Sequence, residues 1–339
     1  SEILQKKGRK FYRVLFHELT KDAIHRAMAS PESLDRPKYE AQQARRILDR
    51  LVGYQISPLL WRKVKGGLSA GRVQSVALRI ICERERAIQA FEPREYWSVT
   101  AHLEGESPPP FTAKLAKKNN DKIEIPNAEK ATAILADLEG KQFVVEKIVK
   151  KTTRKNPQPP FTTSKLQQDA IRRLRFSAKK TMLIAQQLYE GIELGPGEPV
   201  GLITYMRTDS TRIAKEAADE ALGLIREKFG DAYALEQPRF FKNRKKAQDA
   251  HEAIRPTSVA YIPDELAPHL SEDQLALYRL IWQRFVASQM SQALINQVSV
   301  TIAAGSYQFA ASGSTVKFPG FMALYMSVAD EIANKDQKK

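Results

Sequence analysis

Residues 201–210 read Gly201-Leu-Ile-Thr-Tyr205-Met-Arg207-Thr-Asp209-Ser210. The first five have the apolar character of a short buried strand, and the periodicity from Thr211 to Phe229 predicts an amphipathic helix. A strand-to-helix junction presents side chains at an exposed edge with rigid support behind them. Asp209 or Ser210 is expected to cap the helix, whose N-terminus favours an anion. Arg207 lies two residues beyond Tyr205, so in extended chain the two point the same way. A guanidinium beside a phenol lowers the phenol's pKa and can hold two phosphate oxygens as charge builds. That pairing suits attack on a phosphodiester. By itself a Tyr-x-Arg is more often a core tyrosine with a surface arginine.

Outward from this stretch, Asp249-Ala-His251-Glu-Ala-Ile-Arg255-Pro256 offers His251 as a hydrogen-bond donor to a phosphate oxygen and Arg255 as further positive charge. Read singly, His251 is a structural histidine. It is no zinc motif, because no second histidine lies four residues away. Gly67-Leu-Ser-Ala-Gly71-Arg72-Val-Gln74-Ser75 lacks the Lys-Ser/Thr and the preceding strand of a nucleotide loop. It reads either as a helix start gripping a phosphate through N–H groups, Arg72 and Gln74, or as a plain helix cap. Ala41 to Tyr54 places Arg46, Asp49, Arg50 and Tyr54 on one helical face beside Arg45. This is a single-strand platform of phosphate-binding arginines and a stacking tyrosine, or a solvated face with Asp49 paired to an arginine.

The 339 residues carry a formal net charge of +15 and 42% hydrophobic residues, enough for two or three domains and indicative of a polyanionic partner. Residues 1–94 hold twenty Lys and Arg against ten Asp and Glu, so two-thirds of the surplus falls in under a third of the chain. No apolar run approaches the ~20 residues that span a bilayer. The start has no signal-peptide pattern, and no membrane partner is expected. Cys82 is the single cysteine, which excludes an internal disulfide and a cysteine zinc cluster and suits a reducing cytoplasm. Its apolar helical surroundings predict a small core residue. There is no Asp-x-Asp pair or EF-hand loop, so a magnesium site made by this chain alone is not expected.

Helices are predicted from Leu19-Thr20-Lys21 with Thr20 as N-cap, over 38–54 through Ile47, Leu48, Leu51 and Val52, and over 70–90. Strands follow at Tyr96–Leu103, Phe111–Leu115, Lys122–Ile125 and Phe143–Val149, with a turn at Ser107–Pro110 and a short helix at Glu129–Leu138. A basic proline linker is read at Lys150–Pro160, helices at Ser164–Arg175 and Ala178–Tyr189 with Ser177 as cap, and a loop at Gly191–Pro199. Pro238–Asp249 reads as a basic loop, Ser271–Ser291 as a helix, and 297–319 as strands. The order predicts a mixed α+β, multidomain chain. Its expected parts are a helical first segment (1–94), a β-rich arch in two pieces (95–160 and 286–327), and an inserted helical domain (161–285) carrying Tyr205.

Seven segments in one order resemble the type IA DNA topoisomerases, the bacterial topoisomerase I branch most closely. They are Ala41–Arg46, Ser57–Trp61, Leu68–Ser75, Pro160–Ser164, Leu188–Glu190, Gly201–Ser210 and Ala250–Pro256. The resemblance implies a toroid of helical strand-binding domain, β arch and inserted tyrosine domain. It implies a monomeric, ATP-independent enzyme of the cytoplasm and nucleoid. Such an enzyme cleaves one strand of single-stranded or negatively supercoiled DNA through a 5′-phosphotyrosyl bond. On it, Tyr205 is the nucleophile, Arg207 and His251 contact the scissile region, and Asp209 supports that site. Arg45, Arg46, Asp49, Tyr54, Arg72 and Gln74 match positions that hold the single strand. The family's magnesium belongs to an acidic domain that precedes the region matched by Phe11-Tyr-Arg-Val14, and further modules follow Phe318-Pro-Gly-Phe321. Neither occurs in these residues, so the resemblance implies part of a longer enzyme, inactive alone and holding no metal itself. A tyrosine recombinase or type IB enzyme would need a His-x-x-Arg pair upstream of the tyrosine, and His251 lies downstream of Tyr205. The other reading is a module that only binds DNA.

Overall fold

The computed structural model describes residues 11–15, 21–105, 109–197, 199–241 and 251–326. Thr20, Ser107, Pro108, residues 242–249 of the basic loop, and Asp249 and Ala250 beside His251 lie outside the described residues. The chain divides into two compact units. One comprises Ser1–Val14, Met28–Val99 and Ile123–Glu139, and the other Leu15–Ala27, Thr100–Lys122 and Gly140–Lys339. Helix α1 is Lys21–Ala29.

In the first unit, α2 runs over Arg36–Lys63, longer at both ends than the periodicity predicts. Asp35 explains its start, because the side chain accepts from Lys38 N at 3.0 Å while Pro37 pre-sets the first turn. Pro58 lies inside the helix. It can give no N–H to the Tyr54 carbonyl one turn back, a cost normally near ~3 kcal/mol that the rest of the helix absorbs. Helix α3 is Arg72–Gln89, begins at Gly71 with no side-chain cap, and buries none of its residues. Ile47, Leu48, Leu51, Val73, Val76, Ile80 and Ile81 are all exposed. So is Cys82, which corrects the expectation of a core cysteine. Periodicity states which helical face is apolar; it does not supply a neighbour to cover it. Helix α4 (Ala128–Leu138) has Asn127 as N-cap and buries Ala131, Ile134 and Leu138.

The second unit contains one antiparallel sheet and a helical block. The strands are β1 (Thr100–Leu103), β2 (Phe111–Lys118), β3 (Asp121–Lys122), β4 (Val144–Lys155), β5 (Ala293–Ala304) and β6 (Tyr307–Phe318). Their order is β1-β2-β6-β5-β4, with β3 on β2, so strands from both strand-rich stretches share one sheet. The β5–β6 turn is Gly305-Ser306, with Gly305 at φ 60°, the left-handed backbone a two-residue hairpin requires. Four expectations are corrected. Residues 96–99 precede β1, β3 is two residues long, Phe143 lies outside β4, and β4 continues to Lys155 through half of the expected linker. The reason for the last is tertiary. β5 offers eleven partner positions to β4, and β-branched Thr152 and Thr153 fit a ladder as well as a linker.

The helical block comprises α5 (Thr163–Leu174), α6 (Ala178–Glu190), α7 (Lys215–Phe229) and α8 (Glu272–Gln289). Ser177 caps α6 by accepting from Lys180 N at 3.1 Å, and Ser271 with Gln274 forms a capping box on α8. Leu166, Leu188, Leu202, Ile225, Ile254, Tyr278 and Phe285 pack in its core. Two further corrections concern residues 201–214. Gly201–Tyr205 is not a regular strand; it is an extended segment with an isolated bridge from Ile203 to Pro256. Helix α7 begins at Lys215, with Ala214 as N-cap and no side-chain bond, so neither Asp209 nor Ser210 caps it.

Candidate active site and nucleic-acid groove

The segment from Tyr205 to Ser210 alternates in burial. Met206, Thr208 and Ser210 are buried, whereas Tyr205, Arg207 and Asp209 are exposed. The alternation leaves all three candidate side chains exposed. It survives the loss of the expected helix start, because the segment is held by other means. Leu202 N donates to Leu188 O at 2.7 Å, Thr204 N to Arg255 O at 2.9 Å, and Thr257 N to Leu202 O at 3.0 Å. Thr204 Oγ1 donates to Ala253 O at 2.7 Å. Gly201 is required here, since a Cβ on it would stand 2.8 Å from the Tyr189 carbonyl oxygen.

Tyr205 is 37% exposed. It lies between two other rings. Tyr189 of α6 meets it edge-on at 5.4 Å between centroids, and His251 is tilted against it, also at 5.4 Å. Such contacts fix a ring without occupying its polar tip. His251 is placed by the segment Glu252–Pro256. There Ala253 N donates to Arg212 O at 2.7 Å and Ile254 N to Phe161 O at 2.8 Å. Arg255 is not available as surface charge. It is buried, its Nη2 is 2.7 Å from buried Glu252 Oε2, and its Nη1 donates to Pro256 O. Among the described residues, neither Arg207 nor Asp209 is engaged in an ion pair, so both charges face solvent.

The other sequence-derived residues lie in the first unit. An open groove of about 680 Å³ is lined by Gln42, Arg45, Arg46, Asp49, Arg50, Tyr54 and Trp61 of α2 with Ser69 and Ala70. The loop after α2 is held by Ala70 N donating to Ser57 Oγ at 3.1 Å and Trp61 Nε1 donating to Leu68 O. Arg72 and Asp49 form a forked pair, Nε–Oδ1 at 2.8 Å and Nη2–Oδ2 at 3.3 Å. The hydrogen bond from Arg72, then the charges of Arg72 and Arg45, hold the Asp49 carboxyl below its usual range. Arg72 is therefore neutralised by Asp49, while Arg45, Arg46 and Arg50 remain as the groove's cations. The Gln74 side chain folds back over the Cα of Gly71, the space a Cβ there would need.

Two contributors were not singled out in the sequence. Tyr189 stood only within a segment of resemblance, and Thr163 within another; their contacts to Tyr205 and its neighbours cross 16 and about 43 residues. Among the described residues no group of three or more His, Cys, Asp or Glu could hold a metal ion. No helix among them is long and apolar enough to cross a membrane.

The sequence profile of a DNA topoisomerase family matches residues 33–339. Among solved structures, full-length topoisomerase I from Thermotoga maritima is similar, with 38% identity and a TM-score of 0.76. The match covers 97% of this chain and 52% of that one, so the chain spans about half the length of that enzyme.

Proposed function

The chain belongs to the DNA topoisomerase family, in its bacterial type IA branch, and from that premise we propose that it carries the strand-cleaving tyrosine of an ATP-independent topoisomerase. The observation that carries the reading is the exposure of Tyr205, Arg207 and Asp209 with the His251 ring against the tyrosine.

In this reading Tyr205 loses its phenolic proton and its oxygen attacks the phosphorus of a DNA phosphodiester. The bond from phosphorus to the 3′ oxygen breaks, that oxygen takes up a proton, and the 5′ phosphate stays on Tyr205. Attack by the 3′ hydroxyl reverses both changes. One phosphoester replaces another, which is why no ATP is consumed. Arg207 supplies positive charge to the non-bridging oxygens as charge builds there, and His251 donates a hydrogen bond to them. Asp209 orients the approach. Arg45, Arg46 and Arg50 hold phosphates of the incoming single strand and Tyr54 stacks on a base. The substrate is single-stranded or negatively supercoiled DNA, acted on by a monomer in the cytoplasm and nucleoid. Segments 1–94, 95–160 with 286–327, and 161–285 act as strand holder, arch and tyrosine carrier.

The magnesium of the family finds no fitting cluster among the described residues. The steps above use this chain's own side chains only.

The test is a covalent-adduct assay in the full-length protein with end-labelled single-stranded oligonucleotide. A 3′-end label retained on the protein is expected, and Tyr205→Phe should abolish it with oligonucleotide binding intact. A retained 5′-end label would mean the opposite polarity. No label at all would favour a module that only binds DNA. The resemblance further implies that the 339-residue chain alone does not relax supercoiled plasmid.

A further inference from the structure

Thr163 is the first residue of α5, directly after the N-cap Thr162. Here the N-cap residue Thr162 makes no side-chain cap bond, and the Thr163 hydroxyl is turned to another part of the chain. Its Oγ1 donates to the carbonyl of Met206 at 2.8 Å and accepts from the N–H of Thr208, also at 2.8 Å. The Thr163 N–H donates to the Thr208 carbonyl at 2.9 Å. The last of these ends on the peptide between Thr208 and Asp209, and the other two on the two peptide units that flank Arg207.

Those peptide units set the direction in which Arg207 leaves the main chain. Met206 and Thr208 are buried, and the residues between and beside them, Tyr205, Arg207 and Asp209, are exposed. The segment is not part of a regular strand or helix, so no ladder fixes its alternation. The hydroxyl relay continues, with Ser210 N donating to Thr208 Oγ1 at 3.0 Å and Arg212 N to Ser210 Oγ at 3.1 Å. Thr163 is the member of this relay that comes from a different element. It ties the segment to a helix whose Leu166 and Ala170 are in the core.

We propose that Thr163 is a positioning residue for strand cleavage: its hydroxyl fixes the peptides on either side of Arg207, and through them the spacing of Arg207 from the Tyr205 oxygen. The inference rests on the function proposed above. A catalytic group misplaced by about 1 Å can cost a hundredfold in rate, so a tether of this kind affects the reaction more than the binding.

The experiment compares Thr163→Val, which keeps the shape and removes the hydroxyl, with Thr163→Ser, which keeps the hydroxyl. Full-length protein is mixed with excess 3′-labelled single-stranded oligonucleotide, and the single-turnover rate of adduct formation is read beside the oligonucleotide Kd. Thr163→Val should slow adduct formation at least about tenfold. It should leave Kd within about twofold, while Thr163→Ser returns the rate to within about threefold of the parent. Amide exchange at Thr208 should quicken in Thr163→Val and stay parental in Thr163→Ser. Parental adduct rates in Thr163→Val would overturn the proposal. So would equal slowing in both variants, or a rate loss matched by a loss of affinity. Unchanged exchange at Thr208 would show that the tether does not exist, whatever the rates. An unsubstituted protein that forms no adduct would instead overturn the function on which the proposal rests, and with it the positioning role.

Discussion

The block of α5–α8 and the helix pair α2–α3 carry similar apolar periodicities and put them to different use. In the block, Ile225, Leu277 and Ile281 are fully buried, and the extended segments that carry Tyr205 and His251 hang from that core by main-chain hydrogen bonds. In α2 and α3, Ser57 alone is buried; Arg45, Arg46, Arg50, Tyr54 and most apolar side chains are open, while Val52, Leu60 and Arg72 are half-buried. The difference teaches how precision is distributed. A nucleophile must be held to a fraction of an ångström, so its backbone is tethered from three sides. A surface that grips phosphates tolerates flexible side chains, because charge acts over several ångströms.

The comparison is broken most forcefully at the buried pair. Glu252→Ala leaves Arg255 buried without its carboxylate, and should cost about 3–5 kcal/mol. Chemical denaturation reads this, and a loss below about 1 kcal/mol would mean that the pair is not desolvated as its burial implies. Next comes the core itself. Ile225→Ala should destabilise by about 2–5 kcal/mol, while Ile80→Ser on the exposed face of α3 should stay within about 0.5 kcal/mol. Equal losses would show that the α3 face is covered in the protein as it folds. The smallest effect on stability is expected in the groove. Arg45→Ala with Arg46→Ala should leave the melting point unchanged yet weaken single-strand binding. The slope of log K against log salt should fall by about 1.4, two phosphate contacts at about 0.7 each. An unchanged slope in a salt titration would identify these arginines as a solvated face.

How much of the molecule was legible in the sequence depended on the range of the interactions. Helices α5, α6 and α8 were readable, and α6 with its cap, since Ser177 acts on an N–H group three residues away. The start of α7 was misplaced by four residues because Asp209 and Ser210 are good caps by type. Their segment is instead bound to 251–257 and to Thr163, partners about 45 residues distant, which no local rule foresees. Arg255 read as surface charge for the same reason; a motif shows residue type and spacing, not burial.

By itself the sequence determined the α+β class, the seven-segment resemblance, the uneven positive charge and the two-residue spacing of Tyr205 and Arg207. These follow from chemistry and period along the chain. Only the tertiary structure decided that β4 pairs with β5 rather than ending in a linker. It alone showed that Asp49 neutralises Arg72, and that Tyr205 lies between Tyr189 and His251. Each of these rests on contacts between residues far apart in the chain, whose closure is set by the packing of whole elements and leaves no periodic mark on either partner.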